Sequence, residues 1–155
     1  MAQVRFSVQV NLPFPAAQVF AELVDWPGHA DWVPLTRVEI LEGDGGVGTT
    51  FVATTGIGPL ALPDRMQVTE LDHAAMTVTV IKIGPILTGD VVLRVAPQVD
   101  NSCLVDWVED IRVPWLPQFL ARPVGAAAAV GFRTSLRRMS RGMVHSDSDA
   151  IEGKA

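Results

Sequence analysis

Between residues 36 and 113 the chain has little room to do anything but fold back on itself. Six apolar-alternating segments, 36–42, 48–56, 60–71, 75–83, 87–96 and 102–113, are separated by pairs or short runs of turn residues. The separators are Gly43-Asp44-Gly45-Gly46, Gly58-Pro59, Asp72-His73, Gly84-Pro85 and Asp100-Asn101. Such residues supply positive φ or a preset φ, and connections this short force each strand to pair antiparallel with the next. A seventh strand, 5–11, precedes them, with Phe6, Val8 and Val10 alternating with Arg5, Ser7 and Gln9. Pro13 and Pro15 end it, and Pro15 suits the first turn of a helix carrying Val19, Phe20 and Leu23 as far as Asp25. The Trp/Pro/Gly-rich stretch 26–34 predicts a short second helix.

One long helix follows, predicted over 124–143, with Phe132, Leu136, Met139 and Met143 on a single stripe. Arg133, Arg137, Arg138 and Arg141 occupy its other arc, and no acidic residue lies between Asp110 and Asp147. That face is read as a solvated helix back that complements the helix dipole, the alternative being contact with an acidic partner or anionic lipid. Residues 145–155 are polar and small and are expected to form a frayed tail, leaving 1–144 as one domain. The fold class is therefore α+β. A twisted sheet must bury one face, and the long helix has the only stripe that can cover it. A sheet wrapped on a helix closes imperfectly at its ends, so an internal cavity is expected.

Composition narrows the function. With 155 residues, the chain is long enough to bury roughly 70% of its unfolded surface. Twelve Lys and Arg against 17 Asp and Glu give a net charge of −5, which argues against a nucleic-acid partner. No apolar run approaches a membrane span, so no integral membrane association is expected. A single cysteine, Cys103, excludes an internal disulfide and is read as a small buried hydrophobe in a cytoplasmic protein. Three scattered histidines give no metal spacing, and neither a metal nor a cofactor is expected.

The sequence resembles the START/Bet v 1-like (SRPBCC) superfamily, in particular its bacterial polyketide cyclase/dehydrase and lipid-transport branch. The residues that carry the resemblance are the opening strand running into Pro15-Ala16-Ala17-Gln18-Val19-Phe20, then Asp25 to Trp32-Val33-Pro34. Gly46-Val47-Gly48-Thr49, the Trp107-Val108-Glu109 strand and the long last helix complete it, over about 1–144. The resemblance implies a helix-grip fold: seven antiparallel strands, in spatial order 1-7-6-5-4-3-2, around a hydrophobic pocket. It also implies a ligand that is a sterol, lipid, polyketide or similar apolar molecule, and for a minority of members a cyclisation, dehydration or hydrolysis.

Alternation assigns the inward faces independently of any family. Cys103, Val105, Trp107 and Ile111 share a face with Glu109; Met76, Val78 and Val80 share one with Lys82; Leu60, Leu62, Met66 and Val68 share one with Asp64. Three ionisable groups thus point where an apolar core belongs. A turn centred on His73 places Asp64 opposite Lys82 and Met66 opposite Val80, and the next hairpins place Gly89 opposite Lys82 and Glu109. With strands ~4.8 Å apart, a lysine and a glutamate can meet across a strand only if nothing stands between them, and Gly89 has no side chain. The expected row is Asp64–Lys82–(Gly89)–Glu109. It reads either as a structural ion pair or as the polar end of a ligand pocket. A third reading makes Glu109 or Asp64 an acid/base catalyst beside Lys82.

The expected ligand contacts are Trp32, Phe51, Met66, Lys82, Trp107, Glu109, Phe132 and Met139. Glu109, Asp64 and His29, the last between Trp26 and Trp32, are the catalytic candidates. The run 125–131, rich in Gly and Ala, is read as leaving room for a ligand beneath the helix, the alternative being close approach to the sheet. Three functions compete: a binder of a small hydrophobic molecule acting as carrier or sensor, a polyketide cyclase or dehydratase, and an interaction module whose apolar tips 57–60 and 83–87 and arginine face dock on a partner or membrane surface. A homodimer is left open.

Overall fold

The computed structural model describes residues 1–152. Strand β1 (Ala2–Leu12) leads into helices α1 (Ala16–Val24) and α2 (His29–Trp32). The strands β2 (Thr36–Glu42), β3 (Thr50–Thr55), β4 (Leu62–Asp72), β5 (Thr77–Ile83), β6 (Thr88–Gln98) and β7 (Ser102–Val113) follow, and helix α3 (Ala121–Glu152) comes last. The seven strands form one antiparallel sheet in the order β1-β7-β6-β5-β4-β3-β2. This is the helix-grip architecture, with the first and last strands of the chain paired along their whole length, Ala2 opposite Val113 through Leu12 opposite Cys103.

The inward faces follow the alternation. Val4, Val8, Val78, Val80, Leu93, Cys103 and Val105 are buried, and α3 adds Leu136, Met139 and Met143. The four helix arginines 133, 137, 138 and 141 are exposed. Cys103 is fully buried, as expected of a small hydrophobe, and burial pushes its thiol pKa up. No helix among the described residues is long and apolar enough to cross a membrane.

The structure corrects four local expectations. Helix α3 starts at Ala121 and runs on to Glu152, past the expected end at 143. Its last two turns carry exposed residues, and there the Ser146 and Ser148 hydroxyls donate to the Gly142 and Val144 carbonyls one turn back. The end of the expected tail, 153–155, lies outside the described residues. Leu60 is not an inward strand residue but sits exposed in a 3-10 turn, Gly58–Leu60, that delays β4 to Leu62. Gly125 serves close approach rather than room: a Cβ there would lie 3.3 Å from the Arg5 carbonyl oxygen and 3.4 Å from Val4.

The fourth correction concerns register. Met66 stands opposite Lys82 and Val68 opposite Val80, two residues from the expected alignment. The Asp72 carboxylate accepts from the backbone N–H groups of Ala74 and Ala75, and Met76 takes positive φ. The turn therefore occupies four residues, and a bulge between Val68 and Glu70 adjusts the ladder. Gly89 does pair with Lys82, but it faces Ile111, while Glu109 faces Val91. There the β6–β7 turn, with Asp100 and Asn101 at positive φ, centres one residue later than expected. Both slips are by two residues, so every side chain keeps its face.

Candidate functional site

The sheet's concave face, the α1–α2 corner and α3 enclose a cavity of about 120 Å³, partly open to solvent. Its walls are apolar. Phe51 and Met66 come from β3 and β4, Leu93 and Trp107 from β6 and β7, and Phe132 from α3. Phe132 is fixed by stacking on Phe6, with ring centroids 5.6 Å apart, and on Trp107 at 4.5 Å. Trp26 closes the α1–α2 side. Its indole N–H donates to the Gly45 carbonyl at 2.9 Å, and its ring stacks on Phe51 at 4.8 Å.

One end of this cavity is ionic. Lys82 and Glu109 are buried and Asp64 is half-buried, and all three line the space. The Lys82 ammonium pairs tightly with the Asp64 carboxylate, and its Nζ stands 3.8 Å from Glu109 Oε2. The row forms although the register moved. Asp64 lies on the adjacent strand, two residues nearer the strand ends than Met66, the partner of Lys82. Glu109 lies across β6, two residues further in, so the lysine bridges a diagonal neighbour and a group one strand beyond. Gly89, the partner of Lys82 on the intervening strand, also has a backbone role. Its φ is +136°, and a Cβ would fall 2.1 Å from the Asp110 carbonyl oxygen, so the missing side chain lets β6 and β7 approach.

The three groups are not electrostatically equivalent. Burial raises the Glu109 pKa, outweighing Lys82 and the Trp107 indole, whose Nε1–H donates to Oε1 at 2.9 Å. For Lys82 burial acts downward, but the two carboxylates outweigh it and the pKa is raised. The ammonium thus stays charged, while burial favours the protonated form of Glu109. Protonated, it leaves a cluster of zero net charge and offers an O–H donor to the cavity.

His29 also lines the cavity, at the α2 side. Its Nε2 lies 2.7 Å from the Leu23 carbonyl, which only accepts, so Nε2 carries the proton and Nδ1 keeps its lone pair. Burial lowers its pKa, against the Leu23 hydrogen bond and Asp25, and the ring is neutral at pH 7.

Of the residues expected to contact a ligand, Phe51, Met66, Lys82, Trp107, Glu109 and Phe132 line the cavity; Trp32 and Met139 do not. Trp32 is buried behind His29, ring centroids 4.5 Å apart, and its indole N–H finds no hydrogen-bond partner among the described residues. Met139 is two turns beyond Phe132, roughly 10 Å along the helix axis, and packs in the core past the end of the cavity. Sequence reading missed Trp26, Val91, Leu93 and the paired hydroxyls of Thr36 and Thr55, 2.8 Å apart. Alternation along β6 marks the valine and leucine as inward. Nothing local marks Trp26, whose place depends on the Gly45 carbonyl 19 residues away. No group of three or more metal-ligating side chains occurs among the described residues.

Known proteins show the same architecture. The family model for polyketide cyclase / dehydrase and lipid transport matches residues 1–143. A START superfamily protein from Mycobacterium smegmatis is 12% identical, with a TM-score of 0.77 over 90% of this chain and 98% of that one. The ZhuI aromatase/cyclase from Streptomyces sp. R1128 is 17% identical, with a TM-score of 0.76 over 92% of this chain and 96% of that one. No curated protein matches the sequence. The likeness to the solved structures is one of fold. With seven strands in helix-grip order around a lined cavity and the family model spanning all but the last twelve residues, this chain belongs to the polyketide cyclase/dehydrase and lipid-transport family of the START-like superfamily.

Proposed function

We propose that the protein binds a small, predominantly apolar molecule in this cavity, as a carrier or sensor, and that Glu109 and Lys82 fix the ligand's polar group. One observation carries the reading: a mostly apolar cavity with His29 on one side and, at one end, buried Lys82 and Glu109 clustered with half-buried Asp64. Burying charge costs several kcal/mol unless it is paired, and a core that needed only stability would be filled with hydrophobes. The free space, about 120 Å³, is close to a cavity of ~150 Å³ that accepts benzene and well under the ~300 Å³ of a drug-sized pocket. It fits one ring or a short branched chain, and a larger ligand requires Phe132 or Trp26 to move.

Native mass spectrometry of protein purified from its own host tests this. A retained molecule of small mass and apolar class is expected. Absence of any retained molecule, together with no binding of benzene or a fluorescent apolar probe, would remove the proposal.

A second reading is favoured by the raised pKa of Glu109: a cyclase or dehydratase in which the cavity folds a reactive chain and Glu109 delivers a proton. The fold shared with the ZhuI aromatase/cyclase supports it. Neutral His29, with Nδ1 unprotonated, is the basic counterpart, whereas Asp64 is tied to Lys82. Loss of turnover with retained affinity in Glu109→Gln separates this reading from simple binding.

A further inference from the structure

Exposed apolar side chains are not spread evenly over this molecule. Antiparallel order brings the start of β2, the end of β3, the start of β4, the end of β5, the start of β6 and the end of β7 to one rim of the sheet. Leu35, Ile57, Leu60, Ile83, Trp115 and Phe119 all stand on that rim, from four separate connections, and all are exposed. Leu60 is 86% exposed, Phe119 80% and Trp115 65%, an unusual state for residues of this size unless something covers them.

Charge divides the same way. The rim segments 33–37, 55–63, 83–88 and 113–124 contain no acidic residue, and Arg37 and Arg122 are exposed there. The loops at the opposite rim carry Glu42, Asp44, Asp72 and Asp100. In a chain of net charge −5, the connections that display these aromatic and aliphatic side chains thus carry arginine and no carboxylate; the nearest acidic groups, Asp64, Asp90 and Asp110, sit two to three residues inside the strands. Aromatic and aliphatic groups beside arginine, without carboxylates, complement a lipid interface of negative charge, and two such signals are needed for stable attachment.

We infer that this rim docks on a bilayer surface containing anionic lipid, with Trp115, Phe119 and Leu60 entering the interface. The ionic end of the cavity lies directly inside the same rim, because Thr36, Thr55, Asp64 and Lys82 are each within a few residues of their strand ends. Exchange of a ligand with the bilayer rests on the function proposed above; docking does not, and is measured with no ligand present.

Flotation of the full chain with vesicles tests it. Vesicles of phosphatidylcholine and phosphatidylglycerol in equal parts are expected to carry the protein, pure phosphatidylcholine to carry much less, and added salt to release it. Trp115→Ala with Phe119→Ala is expected to weaken binding by roughly tenfold or more, from the apolar area withdrawn from the interface. Leu60→Ser, on a different connection, weakens it independently, and Arg122→Glu weakens it only on the anionic vesicles. Val99→Ser, at the opposite rim, binds like the parent. Failure of the parent to float with anionic vesicles, equal flotation with both compositions, or equal loss in Val99→Ser overturns the inference. Since all the substituted side chains are exposed, an unchanged unfolding midpoint is the expected companion result.

Discussion

Trp107 and Glu109 occupy alternate positions of one strand, and the indole of the first donates to the carboxylate of the second at 2.9 Å. The strand pleat puts both on the cavity side, so a single element supplies a wall and a polar group already bonded to it. That bond fixes which Glu109 oxygen faces Lys82, because Oε1 is taken by the indole and Oε2 stands 3.8 Å from the ammonium. Any ligand group reaching Glu109 competes for the same two partners.

The raised pKa of Glu109 makes stability depend on pH with a definite sign. A carboxyl whose folded pKa exceeds its unfolded value of 4.5 contributes stability that is complete below pH 4.5 and fades as pH rises through the folded value. Glu109→Gln removes that dependence. Urea unfolding from pH 4 to 8 should show parent stability falling relative to the variant by at most about 1.4 kcal/mol per pH unit across that window. Parallel profiles would show that Glu109 titrates normally.

Lys82→Met leaves the buried Glu109 without its cation. A loss of about 3–5 kcal/mol is expected at pH 8, shrinking toward acid pH as Glu109 takes up a proton. Chemical denaturation at pH 8 and at acid pH measures the difference. A loss that does not change with pH would mean that lysine acts through its methylene stem.

Trp107→Ala removes a wall and the donor to Glu109, whereas Trp107→Phe removes the donor and keeps most of the wall. The alanine variant should lose about 3–5 kcal/mol of stability and most affinity for an apolar fluorescent probe. The phenylalanine variant should keep the affinity while its Glu109 pKa rises further, read by the carboxyl signal in NMR titration. Equal probe binding by parent and alanine variant would put Trp107 outside the binding surface.

Gly89→Ala should destabilise by about 2 kcal/mol or more, since the backbone is in a conformation alanine avoids and the methyl meets β7. Gly131→Ala is the contrast. Its Cβ would meet nothing within 4 Å in the middle of α3, so helix propensity should make it stabilising by about 1 kcal/mol. Thermal unfolding of the pair distinguishes the two kinds of glycine.

Below pH 6.5 a histidine term opposes folding. His29 has a folded pKa lowered by burial, so its contribution is complete above pH 6.5 and is lost as pH falls through the folded value. His29→Gln should flatten the acid limb of the stability profile below pH 6.5. An unchanged limb would assign it to other groups.

Local chemistry in the sequence was enough to place the antiparallel meander from β2 to β7 and, Leu60 apart, its faces; the pairing of β1 with β7 followed only from the family resemblance. Phe6, Val8 and Val10 alternate whatever surrounds them, and short Gly, Pro and Asn turns leave no other pairing. The inward aim of Asp64, Lys82 and Glu109 was legible for the same reason: a two-residue slip preserves the face. Which residues meet was not legible, because register depends on turn details such as Met76 and Asp100 at positive φ, which their neighbours in sequence do not announce. The cavity's outline likewise came from tertiary packing. Trp26 belongs to it through the Gly45 carbonyl, and Met139 is excluded by the length of helix separating it from Phe132. Periodicity acts along the chain and specifies which way a side chain points; contact depends on distances between elements, and these are set only when the whole sheet closes on the helix.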